Sequence, residues 1–184
     1  MPGAHPLEDE PMITALKLVV VLVTGLLVML LVAGQLGLLK GKMPSSLGVK
    51  DGRLKPPANN PNSVSSQAAL YPDHPFRAYA DIAPLAYTGD GAAAFARAVA
   101  LVKAMPQTTV VEQTPGYLYA QCSTRWLRFT DDLELHLDEA AHLIHVRSAS
   151  RLGRKDFGVN RARVEALRER FGQAAPSPEL LPKR

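Results

Sequence analysis

The chain has 184 residues, 47% of them hydrophobic and 21% charged, a globular composition sized for one folded domain plus appendages. A single cysteine, Cys122, excludes an internal disulfide and any multi-cysteine metal knot. The net charge of +4 suits solubility and gives no reason to expect nucleic acid as a partner.

Residues 1–11 are polar and proline-rich, with an acidic cluster at Glu8–Asp9–Glu10, and are expected to be mobile. The run "LVVVLVTGLLVMLLVAGQLGLL", Leu18 to Leu39, then carries no charge. At about 1.5 Å per helical residue it spans roughly 33 Å, enough for the hydrocarbon core of a bilayer. Lys17 and Lys40 bracket it and can snorkel to the two interfaces. A cleaved signal peptide is the competing reading. Against it, the run exceeds an apolar signal region of roughly 7–15 residues and no A-x-A site follows. After "LVAG", Gln35 stands where a lipidated cysteine would have to be. The expectation is an uncleaved, single-pass anchor over residues 12–40. Lys40, Lys42, Lys50, Arg53 and Lys55 outnumber Lys17, so the positive-inside rule places the following domain in the cytoplasm.

Residues 41–66 are rich in Pro, Gly, Ser and Asn without periodicity and read as a linker. Residues 67–172 are expected to form the folded domain, and 173–184 a flexible tail. The domain opens loop-like over 67–90, with "YPDHPF" and a short apolar docking segment, Ile82–Leu85. A helix is predicted over 90–105: Asp90 caps it, Phe95, Val99 and Val102 form its apolar stripe, and Pro106 ends it. Strands are predicted at 108–113 and 117–129, the second bulged near Ser123–Arg125 and using Tyr117 and Trp126 for cross-strand packing. Cys122 has apolar period-2 neighbours and reads as a buried, inert thiol. "LELHLD" (133–138) and "LIHVRS" (143–148) both alternate. Keeping one face apolar pairs Leu137 with Ile144 and Leu135 with Val146, and sets Glu134 opposite Arg147 and His136 opposite His145 on an outer, solvated face. A closing helix, 161–171, takes Asn160 as cap, Val164, Leu167 and Phe171 as stripe, and Gly172 as stop. The predicted fold is α+β: a transmembrane helix, then a two-layer domain of a four-stranded antiparallel meander with two helices on one face.

Charge is concentrated in Arg147–Gly172, where eight Lys/Arg face three acids, +5 against +4 for the whole chain. A glycine-punctuated turn there leads into a helix, whose N-terminus offers free N–H groups and a positive dipole end. Arg147, Arg151 and Arg163, with Ser148 and Ser150 as hydroxyl donors and Asn160 and Asp156 beside them, can hold an anionic group. The alternative is purely architectural, with Asp156 paired to Arg151 or Arg161 and Arg147 to Glu134. His136 and His145 are too few for a metal site unless Glu134 or Asp138 joins them, and no metal or cofactor is expected. Asp131, Asp132, Glu134 and Asp138 point to alternating faces, which argues against paired acid–base chemistry. No nucleophile elbow, phosphate loop, dinucleotide fingerprint or H-E-x-x-H is present.

Three stretches carry a resemblance: "LGVKDGRLKPP…NNPNSVSSQA", "F.DDLEL.LD" and "IHVRSASRLGRKDFGVNRARVE". Together they resemble the bacterial and plastid family catalogued as domain of unknown function 1499, over roughly residues 47–170. The resemblance implies an envelope setting and a single N-terminal hydrophobic segment, and no activity. Family members usually show cysteines near Pro57 and at Ser63, both absent here, and a histidine shortly before Ile-x-Pro-Leu, where this chain has Ala80 and Asp81. The paired absence implies a disulfide in relatives and therefore an oxidising compartment. That favours a periplasmic domain on a bacterial inner membrane, against the positive-inside count. The expected function is a non-enzymatic binding or accessory module of the envelope. Its partners would be the membrane through residues 18–39 and an anionic lipid or envelope protein through the basic loop. The alternative is an envelope hydrolase or transferase, with Arg147 and Arg151 clamping a phosphorylated or acyl substrate and Asp156 or a histidine as base.

Overall fold

The computed structural model describes residues 9–174. Most of the expected mobile N-terminus and of the 173–184 tail lies outside the described residues. The apolar run forms α1, Asp9–Gln35, whose 27 residues rise roughly 40 Å and are long and apolar enough to cross a membrane. It ends four residues before the apolar run does, because Gly37 turns the chain at φ 79°.

The domain carries an antiparallel sheet of six strands, where the sequence suggested four. β3 (Thr108–Thr114), β4 (Tyr117–Ser123), β5 (Thr130–Asp138) and β6 (Leu143–Ser150) are the expected meander. Two short strands complete the free edge of β6: β1 (Ser63–Ser65) along its C-terminal half and β2 (Leu85–Ala86) along its N-terminal half. Three and two residues are too few to show a period, so β1 was hidden in the linker and β2 in the loop. The β5–β6 register is the expected one, Leu137 with Ile144, Leu135 with Val146, Glu134 with Arg147 and His136 with His145. The predicted long strand stops at Ser123. Its bulge is instead in β3, between Val110 and Glu112. Residues 124–129 form a turn, and Trp126 is 62% exposed on it and packs across no strand, whereas Tyr117 is buried.

α3 (Gly91–Lys103) and α4 (Val159–Gln173) cover one face of the sheet; a single helical turn, α2 (Arg77–Ala80), lies near β1. Asp90 caps α3 by accepting from the Ala93 amide at 2.6 Å. Phe95, Val99 and Val102 of α3 join Val164, Leu167 and Phe171 of α4 over Leu118, Ala120, Leu133, Leu135, Ile144 and Val146. The core includes Cys122, whose thiol pKa burial pushes up, so it stays protonated and inert.

The face expected to be solvated is covered. Residues 47–57 cross it as a strap, burying Leu54 against Tyr117 and Tyr119. Gln67 pins the strap, accepting from the Leu54 amide at 2.8 Å and donating to the Gly52 carbonyl at 3.0 Å. The supposed linker is therefore structural over much of its length.

Candidate functional site

Strand alternation sorts the candidate residues into two groups. Arg147 and Arg151 project to the strap face, while Ser148 and Ser150 project to the helix face, where Asn160, Arg163 and Asp156 also bond. The basic loop thus feeds two separate networks.

On the strap face the order is tyrosine, acid, arginine, and it occurs twice, with the tyrosines and the acids two residues apart and the arginines four. Tyr117 donates to Glu134 Oε1 at 3.0 Å, and Arg147 Nη1 donates to Oε2 at 3.3 Å. The Gly48 amide of the strap also donates to Glu134, at 2.9 Å. Glu134 is fully buried, and Arg147 is 3% exposed. Burial pulls the Arg147 guanidinium pKa below its ordinary value, with Glu134 opposing. In the second chain Tyr119 donates to Asp132 at 2.6 Å and accepts from Arg151 Nη2 at 2.8 Å. Arg151 grips Asp132 through Nε at 3.0 Å and Nη2 at 2.7 Å. The Arg147–Glu134 pair is the one expected from register. Arg151 pairs with Asp132 rather than Asp156, because the chain leaving β6 keeps the alternation that points Arg151 to the strap side.

On the helix face Asp156 has four hydrogen bonds. It accepts from the Tyr79 hydroxyl, from the amides of Gly158 and Asn160 at 3.1 Å each, and from Asn160 Nδ2 at 2.9 Å. Burial alone would raise its pKa, but these donors outweigh it and hold the carboxyl below the usual range. Tyr79 is correspondingly pushed up to about 12, by burial and then by Asp156. Gly158, not Asn160, therefore stands at the cap position of α4, and the Asp156 carboxylate two residues before it accepts the amides that a capping side chain would. Gly158 at φ 83° turns the chain so that the carboxylate reaches the first free amides, and Asn160 sits one residue inside the helix. Fully buried, Asn160 joins Ser148 (2.6 Å), Ser150 (2.9 Å) and the Asn62 carbonyl (3.1 Å). Arg163 bonds Asp131 at 2.6 Å, and Arg161 donates to the Tyr79 and Asp81 carbonyls rather than to Asp156.

Beside the strap-face network lies a cleft of about 480 Å³. Lys42, Lys55, His74, Arg147 and Arg151 line it, with Asp132 the one carboxylate among the lining residues. Described hydrogen bonds of Arg147 use Nε and Nη1, and those of Arg151 use Nε and Nη2. Each guanidinium so retains one terminal nitrogen without a partner among the described residues. His74 adds a donor. Its Nδ1 accepts from the Phe76 amide at 3.2 Å, which assigns the proton to Nε2, and Nε2 is buried without a hydrogen-bond partner among the described residues. Sequence reasoning missed His74, Lys42 and Lys55, since "YPDHPF" and the linker carry no pattern that joins them to Arg151.

His136 and His145 stack with ring centroids 6.3 Å apart. His145 Nδ1 bonds Ser66 Oγ at 3.2 Å, and Nε2 lies 3.6 Å from Asp138. Among the described residues no three His, Cys, Asp or Glu side chains gather as metal ligands.

The model of a family described as "Protein of unknown function (DUF1499)" matches residues 53–171. The chain belongs to this family. The matched stretch contains the sheet, both networks, Lys55 and His74; α1, Lys42 and the Gly48 contact precede it. No curated protein and no solved structure matches the chain. Membership in this family of unknown function therefore leaves the activity to be argued from the site.

Proposed function

We propose that the protein is a membrane-anchored, non-enzymatic binding module of the cell envelope, with its domain on the periplasmic side of a bacterial inner membrane. Its cleft takes a phosphate-like or carboxylate anion from a lipid headgroup or an envelope partner. The observation that carries this is a cleft lined by four cations and by His74, whose Nε2 is buried without a hydrogen-bond partner among the described residues. A buried donor without an acceptor is costly, and an anion would satisfy it together with the spare guanidinium nitrogens. Arg147 and Arg151 are prepositioned by Glu134 and Asp132, so little side-chain order is lost on binding. The membrane helix supports the setting: Lys42 lies seven residues after Gln35 and brings the cleft near the anchor.

The test is thermal unfolding of the full-length protein in nanodiscs, titrated with inorganic phosphate and with glycerol phosphate. Binding stabilises by about 2.7 kcal/mol at a hundredfold excess over Kd. The melting temperature should rise with ligand in the parent. It should not move in Lys42→Glu/Lys55→Glu or in His74→Ala, which leave the Arg–acid pairs intact. A parent Tm independent of both anions sinks the reading.

A further inference from the structure

Three segments meet at one end of the sheet. The last turn of α1 packs against the 124–129 turn: a Cβ on Gly34 would lie 2.6 Å from the Leu127 carbonyl oxygen, so only glycine permits this approach. Gln35 Nε2 donates to the Trp126 carbonyl at 2.9 Å. The chain after α1 then presses on the basic loop, where a Cβ on Gly41 would come within 2.8 Å of Arg151 Cβ and 2.9 Å of Leu152 Cγ. The Arg151 amide donates to the Thr130 carbonyl at 3.2 Å, tying the loop to the base of the turn.

This end exposes large apolar side chains beside cations. Trp126 is 62% exposed, Leu152 43%, Val159 49% and Phe157 93%. Phe157 also holds φ 52°, an unfavourable conformation for a bulky residue, with its ring presented to the outside. Arg125, Arg128, Arg154 and Lys155 are exposed among them, and Asp156, the acid of these two segments, is buried. An aromatic and basic rim at the foot of a spanning helix has the chemistry of the bilayer interface, where Trp sits at headgroup level and cations meet anionic lipid.

We propose that this end is a membrane-contact surface, with Trp126, Leu152, Phe157 and Val159 entering the interfacial layer of an anionic bilayer and Arg125, Arg128, Arg154 and Lys155 meeting its headgroups. The proposal rests on reading α1 as a membrane span. Continuity with α1 selects lipid over a protein partner, since a bilayer crossed by α1 begins where this surface lies. The domain would then be held at a fixed attitude, by the helix at the 124–129 turn and by the loop at Phe157.

Trp126 is the sole tryptophan and serves as reporter. The full chain is reconstituted in nanodiscs of phosphatidylcholine with or without phosphatidylglycerol, part of the lipid being brominated near the headgroup end of its chains. Trp126→Phe/Phe157→Trp moves the indole to the loop. Trp126→Phe/Ala140→Trp moves it to the exposed turn at the opposite end of the sheet. The indole at 126 and the one introduced at 157 should be quenched by brominated lipid and shielded from acrylamide several-fold relative to that at 140. The effect at 157 should grow with phosphatidylglycerol and drop several-fold when Arg154→Glu/Lys155→Glu is added. An indole at 157 as unquenched and as open to acrylamide as the one at 140, in protein that co-floats with phosphatidylglycerol vesicles after an alkaline wash, overturns the contact surface alone. Protein that does not co-float overturns the spanning reading and this proposal with it.

Discussion

On the helix side of the sheet, Leu118, Leu133, Leu135, Ile144 and Val146 meet Phe95, Val99, Leu167 and Phe171, and the contact requires shape but no charge matching. On the strap side the same strands present Tyr117, Tyr119, Asp132, Glu134 and Arg147, covered by an extended segment instead of a helix. The apolar face tolerates relaxation, since a deleted methyl leaves a void that neighbours partly fill. The polar face has no such tolerance. Each buried charge depends on one opposite charge, and loss of either strands the other in a medium where it cannot be hydrated. A face built this way fixes the positions of Arg147 and Arg151 closely, which is what the anion binding proposed for the cleft beside them requires.

The sharpest way to break the strap face is Glu134→Leu. It removes the acceptor of Tyr117, Arg147 and the Gly48 amide at once and leaves a buried guanidinium unpaired. The expected loss is about 3–5 kcal/mol in denaturant unfolding. Adding Arg147→Met should recover much of that loss, because the stranded charge is gone and a hydrophobic pair of similar volume replaces the ion pair. If the double variant is no more stable than the single, the pairing is not what holds this face. This result also bears on Arg151: replacing it would strand Asp132, so its loss would reduce stability whether or not an anion binds.

Asp156→Ala breaks a smaller knot on the other face. It deprives Tyr79, Asn160 and the first turn of α4 of their common acceptor, at an expected cost of about 1–3 kcal/mol. The folded pKa of Asp156 lies below its ordinary value. Its contribution is therefore fully present above the unfolded value of about 4 and is lost as pH falls from there through the folded value. The parent should lose stability below about pH 4 more steeply than Asp156→Ala does. Parallel pH profiles would show that the carboxylate does not stand in for a capping side chain.

The helix face was legible because leucines at every second position of 133–137 and the apolar stripes at 95, 99, 102 and 164, 167, 171 give periods that only one packing satisfies. The register that aligned those leucines also exposed the Glu134–Arg147 pair. The second chain, Tyr119–Asp132–Arg151, ran diagonally across strands and into a loop, where cross-strand register carries no information. A signal was present: two tyrosines and two acids at alternate positions on the face opposite the leucines, with an isolated Leu54 in a polar segment. Alternation alone assigns those charges to solvent, because a strap of Pro, Gly and Asn announces no periodicity of its own. The Asn160 cap was misplaced by the same kind of ambiguity, since Asp156 and Asn160 both precede an apolar stripe and only the turn at Gly158 decides between them.

The mildest difference between the faces lies at His145, at the far end of the strap side. Burial is the main influence on this half-buried ring and lowers its pKa below the ordinary 6.5; Asp138 opposes, and the stacked His136 adds to the lowering. The unfolded chain therefore binds the proton first, and stability falls as pH drops from about 6.5 toward the folded value. Ser66 Oγ, which also receives the Val146 amide at 2.9 Å, is the partner that a protonated ring would force to reorient, since both ring nitrogens then donate. Unfolding followed from pH 7.5 to 5 should show a shallow decline in the parent and a flatter line in His145→Gln. A decline that survives the substitution would remove His145 from the strap face's pH response.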